Sequence, residues 1–384
     1  MSAPARQDLV LYVHWPFCVA KCPYCDFNSH VRPHVDQPGW RTALLADLAH
    51  EAALLPDRRL TSIFFGGGTP SLMPPETIAA LIDAAAGHWS IADDIEITME
   101  ANPNSAEAAR FAQAASAGVN RLSLGLQALD DAALRFLGRA HDVAEGLAAL
   151  DAAQRSVARV SLDLIYARPG QSAADWEAEL TRALGFGTDH LSLYQLTIEP
   201  GTRFETDVRR GRFAPADPDH AASLFELTQA MTATARRPAY EVSNHAAPGQ
   251  ESRHNLAYWR YRDYAGIGPG AHGRRGGLAT ARHRKPENWL AAIARNGHGL
   301  AEERALGAAE RAGEALMMGL RLAEGVDLSG IAARTGTPVD ALVDPSAIAR
   351  LAAHGLLEQA GARLRVTPAG MLLLDGILAE IVAV

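Results

Sequence analysis

Six short apolar runs, each followed by a stretch with helical spacing, leave this chain few folds to choose from. The runs are Leu9–His14, Ser62–Phe65, Ile95–Met99, Arg121–Leu126, Val160–Ile165 and His190–Leu196, all rich in leucine and β-branched residues. Between them lie Ala/Leu-rich segments such as Trp40–Leu55, Pro75–His88 and Asp175–Phe186, whose apolar positions recur at helical intervals. Strict strand–helix alternation predicts an α/β fold with a parallel sheet and right-handed crossovers. Six units fall short of the eight that close a TIM barrel, so a partial (β/α)6 barrel fits the count. With 384 residues, 48% of them hydrophobic, the chain can bury a large core. Its length suits two or three domains, or one barrel with an appendage.

The loop after the first run holds every cysteine in the chain. Cys18, Cys22 and Cys25 are spaced C-x3-C-x2-C. Thiolates suit iron–sulfur clusters and zinc. A cubane held by three thiolates leaves one iron open to a small molecule. Two other readings stay open on spacing alone. Three cysteines with His14, His30 or His34 could close a structural zinc site, and free thiols are common core residues. An odd number of crowded cysteines argues against disulfides.

Further polar features fall at strand ends, where barrels of this type carry their chemistry. Gly66-Gly67-Gly68-Thr69-Pro70 follows the second run; it suits close backbone approach to a ligand, or a plain turn. Glu100 ends the third, Gln127 the fourth, and Asp163 lies in the fifth. Polar groups among apolar strand residues are costly without partners. Each could cap a helix or bond to nearby backbone, but their repetition points to one shared polar ligand. Arg139, in Leu137-Gly138-Arg139-Ala140-His141, could supply a charge-assisted bond to a carboxylate.

The net charge of −8 argues against a general nucleic-acid surface. No apolar run approaches the roughly 20 residues of a membrane span. Nothing between Met1 and the first run reads as a secretory signal. Free cysteines lead to the expectation of a cytoplasmic protein. Ala347–Ala353, Leu356–Arg365 and Thr367–Ile381 read as helix, hairpin and helix, like a small winged-helix module. From residue 301 onward there are seven arginines, no lysine and eleven acidic residues, so a structural or docking role is expected rather than phosphate binding. Three segments follow: a barrel over 1–235, a motif-rich connection over 236–300 and the helical module over 301–384.

The cysteine spacing with the Gly-Gly-Thr-Pro segment resembles the radical S-adenosylmethionine (SAM) superfamily. Tyr12, Tyr24, Asp26, Gly67, Gly68, Thr69, Glu100, Gln127, Arg139 and Asp163 resemble the SAM-site pattern of its oxygen-independent coproporphyrinogen III oxidase family. That resemblance implies a [4Fe-4S] cluster on Cys18, Cys22 and Cys25, with SAM bound through those residues and its carboxylate on Arg139. It also implies the partial barrel and a C-terminal module of the family's own type. The oxidases carry a fourth cysteine where this chain has Phe27, and a longer segment before the first strand. Asp26-Phe27-Asn28-Ser29, Tyr240-Glu241-Val242-Ser243-Asn244, His254-Asn255-Leu256-Ala257-Tyr258-Trp259 and Gly266-Ile267-Gly268-Pro269-Gly270-Ala271-His272 are similar instead to the HemW branch, described as heme chaperones. The resemblance implies heme as bound cargo, with His254 as a candidate iron ligand, Tyr258 and Trp259 packing on the macrocycle and His272 lining the same cavity. It implies heme-accepting partner proteins, membrane-associated respiratory enzymes among them. The alternative within the same family is a coproporphyrinogen III dehydrogenase.

Overall fold

The computed structural model describes residues 6–384. All six expected strands form: β1 (Asp8–Trp15), β2 (Arg59–Gly67), β3 (Ser90–Ala101), β4 (Arg121–Gln127), β5 (Arg159–Tyr166) and β6 (His190–Gln195). They lie side by side in chain order, each parallel to the next. The crossovers carry helices α1 (Gln37–Leu54), α2 (Pro75–His88), α3 (Val143–Ser156) and α4 (Ala173–Leu184). Local signals fix the helix starts. Asp36 caps α1 through Gly39 N, while Asp142 with Glu145 and Ser172 with Asp175 form capping boxes at α3 and α4.

A period of two sorts the strand residues. Leu9, Leu11, Val13 and Trp15 of β1, Leu122, Leu124 and Leu126 of β4, and Leu162 and Leu164 of β5 join the main core with Leu44, Leu48, Leu81 and Trp176 of the helices. The alternate positions, including Tyr12, Glu100, Ser123, Asp163 and Ser192, face away from that core and line a cavity. The leucines hold the fold, and the residues between them are left for chemistry.

Residues 236–300, which the sequence marks mainly by motifs, extend the sheet at both edges. β7 (Asn244–Ala246) pairs antiparallel with β6. The short helix α5 (Arg253–Trp259) follows. β8 (Tyr264–Ile267) then joins β1 in parallel, and β9 (His272–Arg275), β10 (Leu278–Arg282) and β11 (Leu300–Ala305) continue antiparallel to make an eleven-stranded mixed sheet. Asp47 and Glu51 of α1 pair with the fully buried Arg282 at 3.2 and 2.6 Å. Asp47 also accepts from Gly268 N, Gly299 N and Trp289 Nε1. One carboxylate thus ties the added strands to the first crossover helix.

The C-terminal module packs around its own core of Leu316, Leu328, Ile348, Leu364 and Ile377. Helix α6 (Pro345–Ala353), hairpin β12 (Leu357–Ala360) and β13 (Arg363–Val366), and helix α7 (Leu374–Ile381) follow the expected order. Among the described residues, no helix is long and apolar enough to cross a membrane.

Candidate functional site

The cysteine loop leaves the C-terminal end of β1. Cys18 ends a two-residue strand, Phe17–Cys18, paired with His30–Val31, and Cys25 N closes a turn onto Cys22 O at 3.2 Å. All three thiols are half-buried and free. Asn28 anchors the loop from behind: its Nδ2 donates to Pro269 O at 2.8 Å and Arg284 O at 2.9 Å. His14 Nε2 donates to Asn28 O at 2.9 Å, so its Nδ1 is free to accept from the Tyr12 hydroxyl at 3.0 Å. Burial pulls the His14 imidazole down to about 4, which keeps it neutral in that role.

The glycine run brings the end of β2 against this loop. Gly67 has φ +114°, and a Cβ there would fall 2.6 Å from His14 Cε1. A Cβ on Gly68 would fall 2.7 Å from Phe17 O, one residue before Cys18. Only glycine fits either position without displacing the loop.

An arc of side chains joins two of the thiols. Thr69 Oγ1 donates to Cys18 Sγ at 3.4 Å and accepts from Asn102 Nδ2 at 3.0 Å. Asn102 Oδ1 accepts from Arg139 Nη2 at 2.7 Å, and Arg139 Nη1 donates to Cys22 Sγ at 3.5 Å. Arg139 Nε is buried with no acceptor. Burial pushes the Cys18 and Cys25 thiols up, while hydrogen bonds from Thr69 and Ser29 act the other way. Donors aimed at sulfur favour thiolates once a positive metal centre joins them. Among the described residues, no His, Cys, Asp and Glu side chains are grouped to hold a single metal ion. The three thiols line one cavity, which has room for a ligand beside them.

Glu100 and Asp163 face that cavity, and among the described residues no cation is bonded to either. Glu100 accepts from Gly67 N at 3.1 Å, and Asp163 from Ser123 Oγ at 3.1 Å. Burial, reinforced by Asp163, pushes the Glu100 carboxyl up to about 8; burial pushes Asp163 up to about 6. Both acids are poised for a ligand carrying positive charge or hydroxyl donors. Gln127 ends β4 at φ +66°, an unusual backbone for a residue with a side chain.

Two neighbouring chambers share part of their walls. The first, about 770 Å³, is lined by Cys18, Cys22, Cys25, Tyr24, Asp26, Gly67, Gly68, Thr69, Glu100, Gln127, Arg139 and Asp163. The second, about 800 Å³, is lined by His254, Tyr258, Trp259 and His272, and by Tyr12, the one SAM candidate that lines this chamber and not the first. Gly67, Glu100, Asp163, Tyr194 and Arg321 line both. His254 is buried on α5, and its Nδ1 is bonded to Ser62 Oγ at 3.1 Å. Burial lowers its imidazole to about 4, leaving it neutral. Tyr258 is partly exposed and packs edge-on to Trp259 and Tyr264. His272 is exposed at the start of β9. Sequence reasoning missed Asn102, Ser123, Tyr194 and Arg321. The period-two alternation of the strands is the signal that could have found Ser123 and Tyr194.

Residues 12–183 match the model of the radical SAM superfamily, and residues 306–373 that of the HemN C-terminal domain. The chain is 42% identical over 333 residues to bovine radical S-adenosyl methionine domain-containing protein 1, mitochondrial, covering 84% of this chain and 75% of that one. It is 38% identical to heme chaperone HemW of Escherichia coli strain K12 over 379 residues, covering 96% of this chain and 97% of that one. Heme chaperone HemW of Mycobacterium tuberculosis H37Rv is 36% identical, with 97% and 94% covered. In structure the chain matches coproporphyrinogen III oxidase (HemN) from Escherichia coli with a TM-score of 0.81 at 23% identity, covering 98% of this chain and 90% of that one. At that identity the match speaks for the fold.

Proposed function

This chain belongs to the HemW family of the radical SAM superfamily, and from that premise we propose that it is a heme chaperone, binding heme and passing it to acceptor proteins. The observation that carries the reading is the second chamber, where His254, Tyr258, Trp259 and His272 meet beside the thiol-lined one. His254 suits an iron ligand: it is neutral, its Nδ1 is held by Ser62, and its Nε2 makes no hydrogen bond among the described residues. Tyr258, Trp259 and Tyr264 offer flat surfaces for a macrocycle. Near-complete overlap with two proteins named heme chaperones supports the same reading.

The first chamber suits a [4Fe-4S] cluster on Cys18, Cys22 and Cys25, with SAM beside it. A cluster held there would supply a binding site and reducing power for SAM. This chain's residues do the positioning. Thr69 and Arg139 hold the sulfurs of Cys18 and Cys22, Gly67 and Gly68 let the backbone approach the ligand, and Glu100, Gln127 and Asp163 face it with acceptors. The acidic net charge speaks against nucleic acid as a partner. The acceptors are heme proteins, membrane-associated respiratory enzymes among them, reached from the cytoplasm.

Anaerobic reconstitution, heme titration and product analysis in one series test this. Stable heme binding, handover to an apo-heme protein and no conversion of coproporphyrinogen III with SAM and reductant are expected. Formation of protoporphyrinogen would replace the chaperone with a dehydrogenase. Tightly bound zinc in place of iron would end the cluster assignment.

A further inference from the structure

Three arginines line the second chamber, and they differ in how their charge is met. Arg121 is buried, donates to Thr98 Oγ1 at 3.5 Å and lies where its charge acts on Glu96. Arg284 is exposed. Arg321 lines both chambers at once. Its guanidinium carbon stands 4.6 Å from the Trp259 ring centroid. Its nearest carboxylate is Glu241, with Nη2 3.5 Å from Oε2.

That pair is short of partners on both sides. Among the described residues Arg321 Nε is buried with no acceptor, and Glu241 Oε2 is buried with no hydrogen bond, its contact with Arg321 Nη2 being an ion pair alone. Glu241 Oε1 is already taken by Ser243 N at 2.9 Å and Asn244 Nδ2 at 2.6 Å. A guanidinium is a planar fork with five donors. Here Glu241 approaches one arm, Trp259 lies against the guanidinium, and the side chain keeps 30% of its surface exposed in the wall that both chambers share. Among the described residues that fork has a single carboxylate near it, at 3.5 Å, and it lines the chamber. The chamber wall carries five aromatic rings, Tyr12, Phe64, Tyr258, Trp259 and Tyr264, together with polar residues that include the acids Glu100, Asp163 and Glu241. A flat molecule with a carboxylate at its edge would lay its face on the rings and bring that carboxylate to the exposed part of the Arg321 fork, away from the acids.

We propose that Arg321 receives a carboxylate of the cargo, a propionate when the cargo is heme. The proposal rests on the heme reading above and deepens it by naming what recognises the polar edge of the macrocycle. SAM also carries a carboxylate and sits in the adjoining chamber. Arg139, assigned to that group, already bonds Asn102 Oδ1, Gly125 O and Cys22 Sγ. The test therefore separates the two carboxylates.

The full-length protein is titrated with heme and with heme dimethyl ester, whose propionates cannot ionise. A hydrogen bond between charged groups contributes roughly 1.5–3 kcal/mol, so the wild type should prefer the diacid by about ten- to a hundredfold. Arg321→Met keeps an apolar stem against Trp259 and should bind both forms alike, with ester affinity unchanged. Arg321→Lys should recover part of the preference. Equal affinity of the wild type for heme and its ester overturns the proposal while leaving the chaperone reading intact. Absence of any heme binding ends both. If Arg321→Met keeps its preference for the diacid but loses SAM affinity in reconstituted protein, the carboxylate is that of SAM and the propionate assignment falls. Should Arg321→Met unfold, the wild-type ester ratio and Arg321→Lys still decide the matter.

Discussion

At Glu100 the sheet presents an acid to a cavity where, among the described residues, no cation bonds to it, and that placement has a measurable sign. The folded protein holds this proton up to about 8, against an ordinary value of 4.5. Between those values the folded state binds more protons than the unfolded one, so stability falls as pH rises across the window. Glu100→Gln removes the term. Its melting temperature should match that of the wild type near pH 5 and exceed it near pH 8; parallel pH profiles would dismiss the raised carboxyl. Cationic SAM should favour the ionised acid, so wild-type affinity for SAM should tighten over the same range. Glu100, Gln127 and Asp163 were legible in the sequence because each interrupts an apolar strand. Asn102 was not, because it follows β3 in a loop and its role arises only where Thr69 and Arg139 converge on it from two other loops. Asn102→Ala cuts the arc between Cys18 and Cys22. Loss of one charge-assisted bond corresponds to roughly tenfold or more in an equilibrium. SAM binding should weaken on that scale and the cluster should bleach faster in air, with the melting temperature of the apo-protein little changed. An unaltered cluster lifetime and SAM affinity would leave the arc without a role.

Among the elements, the six parallel strands and their helices could be read because burial on one face enforces leucine and valine every second residue. The strands of 236–305 could not. β7, β8 and β9 span three to four residues, and Gly273, Arg274 and Arg275 of β9 break the apolar signature. Their charges are met only by distant partners: Arg275 by Glu51 and Glu303, Arg282 by Asp47 and Glu51. A sequence window sees the arginine and not its acid on α1. Removing one member of a buried pair typically costs about 3–5 kcal/mol, since the other charge is stranded. Asp47→Ala also frees the backbone N–H groups of Gly268 and Gly299, and should lower denaturant stability at least that far. Gly268–Gly270 bears on His14 and Asn28, so the cysteine loop should loosen with it and cluster incorporation should fall. A stable Asp47→Ala protein with full iron content would show that the added strands hold without the tie.

At the scale of the whole molecule, the helix–hairpin–helix order of the C-terminal module was legible, but not its place as a wall. No local pattern records which distant surface a module meets. In the structure Arg321, Met371, Leu372, Leu374 and Asp375 line the thiol-bearing chamber together with residues of the barrel strands. Leu374 belongs to the module's own core, whereas Leu372 is 39% exposed and Leu373 53% exposed. Leu372 therefore contributes little to folding and can be changed with the module intact. The wall has a physical task. The raised values at Glu100 and Asp163 come first from burial, and a chamber open to water would bring both down toward their ordinary values. Leu372→Asp places a charge at the rim and admits water. The expected outcome is an unchanged melting temperature, a cluster that decays several-fold faster in air, and a SAM affinity that no longer varies between pH 6 and 8.5. If the variant keeps the wild-type pH dependence and cluster lifetime, the barrel shields its own cavity and the module serves another purpose.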